Sequence, residues 1–309
     1  MRALAAVALL ASATTMLPGT VAAQQSDERR RCLASEGVTP ERKLDSCTAV
    51  IKSSGQAAQG LVAVFTSRGN VHLSNRNYDR AIDDYNEAIR HDPKYAIGFY
   101  NRGLAYLRKG RIDRAIEDFD HAIRLNPRYT NAFINRALAY QEKAQWDFDA
   151  YLAEGVYEDR AIKDLDEAIR LDPNNSIAFR HRGFVNSRRQ RYDRAIKDFD
   201  EAIRLNPNIA FSFSGRAYAL RFVGQYERAI ADYRKALTLQ LDDASRRQIE
   251  RILKQLGAAT ERDATPTAVT KRRYPEEIAD SAAHSTGNER EPDDIPPDPD
   301  DAATPPPTL

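Results

Sequence analysis

Arginine and aspartate are the residues of this 309-residue chain whose spacing is most regular. Arg68, Arg102, Arg136, Arg182 and Arg216 alternate with Asp84, Asp118, Asp164, Asp198 and Asp232. A guanidinium can grip a carboxylate with two parallel hydrogen bonds, so the two rows can form a ladder of ion pairs between packed segments. The alternative chemistry is an arginine row that binds an anionic ligand. The ladder is favoured because every charge has a ready partner, and pairs of this kind set register more than they stabilise. The spacing leaves open whether each arginine meets the aspartate of its own segment or of a neighbour. The remaining reactive types are sparse. His72, His91, His121, His181 and His284 are scattered, and two cysteines cannot make a four-cysteine zinc site. There is no glycine-rich phosphate loop, nucleophile elbow or paired-histidine motif. The expectation is a protein without catalysis, cofactor, metal or small-molecule substrate.

The elements that carry these rows are near copies of one another. DRAIDDYNEAIRHDP (79–93), DRAIEDFDHAIRLNP (113–127), DRAIKDLDEAIRLDP (159–173), DRAIKDFDEAIRLNP (193–207) and ERAIADYRKALTLQL (227–241) start 34, 46, 34 and 34 residues apart. Each reads as an amphipathic helix that a proline then stops, except in the last copy. A second helical pattern begins at Phe65, Phe99, Phe133, Phe179 and Phe213, upstream of each. No segment alternates with a strand's period of two.

Two helices per 34 residues resembles the tetratricopeptide repeat (TPR) family. With Gly69, Gly103, Ala137, Gly183 and Ala217 as position 8, the phenylalanines above are position 4. Position 20 is Ala81, Ala115, Ala161, Ala195 and Ala229, and position 27 is Ala88, Ala122, Ala168, Ala202 and Ala236. Position 24 is Tyr85, Phe119, Leu165, Phe199 and Tyr233. Position 11, usually tyrosine, departs at His72, Asn186 and Leu220. The resemblance implies an all-α TPR solenoid, a right-handed superhelix of helix-turn-helix repeats. The five units are 62–95, 96–129, 130–175, 176–209 and 210–243, together 62–243. Small residues at position 8 are expected to face those at 20 and 27, letting the helices approach closely. One unit cannot bury its apolar faces alone, so the stack is the folding entity.

The edges differ from the repeats. Residues 1–23 read as a secretory signal, with Arg2, an apolar run over 3–17 and small residues before Gln24. The run is short for a membrane span. Export to the periplasm or the exterior is expected, with no membrane span after cleavage. Residues 24–57 look like a worn first pair, with Gly37 and Pro40 between its helices. Cys32 and Cys47 would lie on adjoining helices and suggest a disulfide; two buried free thiols are the alternative. Residues 242–257 read as a closing helix, capped by Asp242 or Asp243 and ended by Gly257. Residues 258–309 carry nine of the fifteen prolines and a net charge of −7, leaving +7 on residues 24–257. Such a tail is expected to be disordered. The twelve additional residues near 147–158 suggest longer helices meeting near Gly155.

In the resembled family the first helices line a concave groove. Carried onto this chain, that implies a surface of Tyr100, Asn101, Leu104, Arg108, Asn131, Asn135, Arg180, His181, Phe184, Arg188, Phe211, Tyr218, Arg221 and Phe222. Aromatic, amide and arginine side chains suit an extended or helical segment of a protein or peptide partner. Thr66 and Asn131 stand where a carboxylate clamp needs basic residues, so chaperone-tail binding is not supported. The implied role is a protein–protein interaction scaffold of the cell envelope. The alternatives are an accessory subunit of an enzyme complex and an RNA-binding array. Export and the acidic tail argue against nucleic acid.

Overall fold

The computed structural model describes residues 18–54, 60–146 and 155–263, with side chains over 25–54, 60–144 and 155–257. The apolar run 3–17, most of the 147–158 insertion and residues 264–309 lie outside the described residues. Within them there are thirteen helices and no strand. The chain divides into two units, residues 1–92 and 93–309.

The first unit holds α1 (Pro18–Leu33), α2 (Pro40–Ser54), α3 (Leu61–Ser74) and α4 (Tyr78–His91). Pro18 and Pro40 stand at first helical positions, where a missing N–H costs nothing. Gly37 takes a left-handed conformation (φ 76°) in the turn between α1 and α2. α1 crosses the expected cleavage point before Gln24 without a break. Cys32 and Cys47, both fully buried, form a disulfide between α1 and α2. Val50, Leu61, Val64 and Phe65 pack around it. Ser67 Oγ donates to Cys32 O (2.6 Å) and Arg68 Nη1 to Thr48 Oγ1 (3.2 Å), tying α3 to the disulfide-linked pair.

The second unit holds α5 (Ala96–Arg108), α6 (Ile112–Leu125), α7 (Thr130–Trp146), α8 (Val156–Leu171), α9 (Ser176–Arg188), α10 (Tyr192–Leu205), α11 (Ala210–Phe222), α12 (Tyr226–Leu237) and α13 (Asp243–Asp263). They pair as α5/α6, α7/α8, α9/α10 and α11/α12, and each second helix packs on the first helix of the next pair. Leucine, isoleucine and aromatic side chains fill the layers between pairs. α7 has 17 residues against 13 in α5, α9 and α11, and Gly155 (φ 81°) precedes α8, so the insertion lengthens the hairpin.

The turns explain the period. Inside a pair, one residue is left-handed: Gly110, Gln190 and Gly224 in the second unit, Arg76 in the first. The next N–H then closes a bond onto the helix just ended: Arg111 to Tyr106 O (2.8 Å), Arg191 to Asn186 O (2.8 Å), Gln225 to Leu220 O (2.9 Å) and Asn77 to His72 O (2.8 Å). Between pairs, proline forces the residue before it into the extended region: Asn126 (φ −134°), Asp172 (φ −136°) and Asn206 (φ −142°). Their side-chain oxygens accept from the second residue on, at 3.1 Å. In the last unit, where Leu241 replaces proline, Asp242 Oδ1 caps α13 by accepting from Ser245 N (2.7 Å).

Two expectations are corrected. Position 8 has the ring at position 24 as its nearest side chain, which the expectation of small residues alone did not include. A methyl on Gly69 would lie 2.7 Å from Tyr85 Cε1, on Gly103 2.8 Å from Phe119 Cε1, and on Gly183 2.9 Å from Phe199 Cε1. The bare backbone therefore lies against an aromatic ring, while the alanines at 20 and 27 are buried almost completely. Gly257 also does not end the closing helix. It lacks a positive φ, and α13 runs on to Asp263, because glycine stops a helix only where the chain turns left-handed.

Candidate partner-binding groove

The ion pairs form within single helix pairs. Arg68 meets Asp84 (2.6 Å), Arg102 meets Asp118 (2.7 Å), Arg136 meets Asp164 (2.5 Å), Arg182 meets Asp198 (2.7 Å) and Arg216 meets Asp232 (2.7 Å). Nε and Nη2 make the two-pronged contact in each. In the second unit the free prong, Nη1, reaches back to the preceding pair: Arg136 to Asp120 (2.6 Å), Arg182 to Asp166 (2.7 Å) and Arg216 to Asp200 (2.6 Å). One guanidinium thus joins both helices of its own hairpin to the hairpin before it. Each arginine also lies over the phenylalanine three residues earlier, at 5.4–5.8 Å from Phe65, Phe99, Phe133, Phe179 and Phe213. At Arg136, burial opposes the charge, but hydrogen bonds to Asp164 and Asp120 outweigh it and hold the group cationic.

Sequence reasoning missed Asp120, Asp166 and Asp200. Their signal was present: D-x-D at positions 23 and 25 in the second, third and fourth units, against Asp84/Asn86 in the first and Asp232/Arg234 in the last. The acid is absent after the last unit, where no following arginine needs it.

The fourteen groove candidates divide by exposure. Tyr100, Asn101, Leu104, Asn131, Asn135 and Arg180 are buried. Tyr100 is wedged between Phe119 (5.9 Å) and Tyr129 (4.8 Å), and its hydroxyl accepts from Asn135 Nδ2 (3.1 Å). Asn135 also donates to Asn131 O (2.9 Å). These side chains join neighbouring pairs and offer a ligand almost no surface. Arg108, His181, Phe184, Arg188, Phe211, Tyr218 and Arg221 are half-buried, and Phe222 is 47% exposed.

The accessible groups concentrate on α9 and α11. Phe222 stacks on Tyr192 (4.6 Å) and touches Tyr218 (4.9 Å). Phe184 sits edge-on to Phe199 (5.0 Å). Gly215 allows this close packing, since a methyl there would lie 2.5 Å from the Phe199 ring. Burial, with Tyr192 adding and Arg221 opposing, pushes the Tyr218 phenol up to about 12. Arg188 reaches Glu158 at 3.5 Å. α9 and α11 contain five arginines and no carboxylate.

No described helix is long and apolar enough to cross a membrane, and the described residues hold no cluster of metal-binding side chains. Hairpins of this length, with a recurring left-handed turn and a repeated small-on-aromatic contact, define an all-α helical-repeat protein. The tetratricopeptide repeat family matches residues 66–130, 176–209 and 214–243. The chain is a TPR protein. A TPR protein from Parabacteroides merdae ATCC 43184 superposes with a TM-score of 0.59 at 19% identity, covering 86% of this chain and all of that one. A thermophilic TPR protein of Thermus thermophilus gives 0.52 at 21% identity over 64% of this chain and 99% of its own. MamA (41-end) from Desulfovibrio magneticus RS-1 gives 0.50 at 17% identity, over 59% and 97%. At such identities these likenesses concern the fold. No curated protein matches the chain in sequence.

Proposed function

We propose that the protein is a non-catalytic scaffold of the cell envelope that holds a peptide or helix of a partner protein along its first helices. The observation that carries this reading is the run of accessible aromatic and cationic side chains on consecutive first helices: Phe184 and Arg188 on α9, then Tyr218, Arg221 and Phe222 on α11. Rings bury a partner's side chains and arginines meet its carboxylates or carbonyls. Export is supported by the signal-like residues 1–23, and a Cys32–Cys47 disulfide is compatible with an oxidising compartment.

The test is capture from envelope extract by the wild-type chain and by a Phe222→Ala, Arg188→Gln double variant. Phe222 is 47% exposed and Arg188 has only a 3.5 Å contact to Glu158, so the variant is expected to melt like the wild type. Loss of a captured protein from the folded variant supports the groove; an identical captured set counts against it. A mature N-terminus at Gln24, read by mass spectrometry, supports export, and an intact Met1 refutes it. Unaided turnover by the pure chain would end the non-catalytic reading.

A further inference from the structure

Tyr233 on α12 is 1% exposed, and its hydroxyl has no hydrogen-bond partner within the protein. The Arg221 guanidinium lies beside it, and Arg221 Nη1 is likewise buried without a partner. The same position of the first unit shows what is missing. There Tyr85 donates to Asn70 Oδ1 at 2.8 Å. In the last unit Tyr218 replaces that asparagine, so the acceptor is gone. The phenol oxygen can accept from Arg221, but the phenol proton and Arg221 Nη1 find no acceptor, and an anionic group at the guanidinium supplies one. Ser187 Oγ, at the same position of α9 as Arg221 on α11, is buried and unpartnered too. Beside these donors lie the stacked rings of Tyr192 and Phe222, the latter among the few exposed large apolar side chains.

A carboxylate next to prolines matches this surface. The donors take the acid, and flat rings take the proline faces. The chain carries such a segment itself. Residues 289–301, EREPDDIPPDPDD, hold seven acids, one base and four prolines. They follow Asp263, the last residue of α13, by 26 residues. A random-coil chain of that many residues has a root-mean-square reach of about 30 Å, the polymer benchmark for this length. α13 packs into the same core as Tyr233 through Ile249, Ile252 and Leu256. Tethering raises the local concentration of the segment into the millimolar range.

We propose that residues 289–301 dock on the α9–α10–α11 surface, with an aspartate at the accessible edge of the Arg221 guanidinium and Ile295-Pro296-Pro297 against Phe222 and Tyr192. The inference rests on the groove being a docking surface and names one occupant of it. An incoming partner segment must then displace an internal one, and acidic partners compete directly.

The experiment uses the full chain with the photo-cross-linker p-benzoylphenylalanine at position 295. It is irradiated at low salt, and the cross-links are mapped by mass spectrometry. Intramolecular links to residues 184–233 are expected, falling to background in about 1 M salt, where the screening length is about 3 Å. They are also expected to vanish in Arg221→Gln and in an Asp293→Asn, Asp294→Asn, Asp298→Asn triple variant. The triple variant leaves every described residue untouched, so its loss of signal cannot come from unfolding. Links elsewhere, or links that survive both salt and the triple change, overturn the proposal. Cross-linked dimers that grow with protein concentration assign the segment to a second copy and also overturn it. A silent probe combined with Arg221→Gln losing the protein captured above gives the site to an acidic partner segment, and the tail assignment falls while the groove stands. A silent probe with capture unaffected by every groove variant removes both.

Discussion

Tyr85 and Tyr233 occupy the same place in the first and last repeats, but Tyr218 and Arg221 stand in the last where the first has Asn70 and Leu73. In the first unit Asn70 accepts the Tyr85 hydroxyl at 2.8 Å, so a fully buried ring has its polar end satisfied. In the last repeat Tyr218 stands at the asparagine's position, and Tyr233 lies beside Arg221 without an acceptor. Equivalent backbone positions thus serve packing at one end and present donors at the other. The first unit is closed further by its disulfide. The last repeat keeps accessible rings and an arginine-rich face.

The largest expected effect tests that closure. Cys32→Ser with Cys47→Ser should lower the stability of the first unit by about 3 kcal/mol, the chain-entropy contribution for a loop this short. Hydrogen exchange should speed up over residues 25–91 and stay unchanged over 159–256. Next is the ring contact. Gly69→Ala drives a methyl to within 2.7 Å of Tyr85 and should cost about 1–3 kcal/mol in denaturant melts. Ala217→Gly, at the same position of the last repeat, already has its methyl accommodated and should cost about 1 kcal/mol, as glycine in a helix does. The tyrosines themselves give a sharper contrast. Tyr85→Phe loses a made hydrogen bond and should cost about 1 kcal/mol. Tyr233→Phe removes an unpartnered hydroxyl and should be neutral or stabilising; a loss equal to that of Tyr85→Phe would erase the distinction between the two ends.

Acid should also separate the ends. Burial, partly offset by Asp84 and assisted by Arg68 and Arg80, holds the His72 imidazole below its ordinary 6.5. A base with a depressed folded value takes up more protons when unfolded. Its stabilising contribution is therefore complete above 6.5 and is lost as pH falls through the folded value. Protection factors over α3 and α4, corrected for the intrinsic exchange rate, should fall below pH 6.5, and His72→Phe should flatten that response. The smallest effect concerns the turns. Arg76 (φ 59°) and Gln190 (φ 56°) sit where Gly110 and Gly224 stand in other hairpins. Arg76→Gly and Gln190→Gly should each raise stability by about 0.5–1 kcal/mol in thermal melts, relieving left-handed strain. Equal gains at both would show that the two units share one turn.

Much of this architecture was legible from residue order. The apolar spacing of DRAIEDFDHAIRL marks α6, and proline before each new pair marks its end, because both depend on contacts a few residues apart. Candidate groove residues were less legible. Tyr100, Arg180 and Ser214 hold the same register position on their helices, yet Tyr100 and Arg180 are buried while Ser214 is half-buried. A repeat register says which face a side chain occupies, and the depth of that face depends on the rings that the adjoining pair brings to it.

Residue order alone determined the helix pairs, their period, the arginine and aspartate rows and the cysteines that could join, since each follows from local sterics or from one residue's chemistry. Only the packed chain decided that one guanidinium serves two aspartates from two hairpins, that Gly69 rests on an aromatic ring, and that Tyr233 lacks the acceptor Tyr85 enjoys. Those outcomes depend on distances between segments 15 to 28 residues apart or on neighbouring hairpins, which no local rule sets.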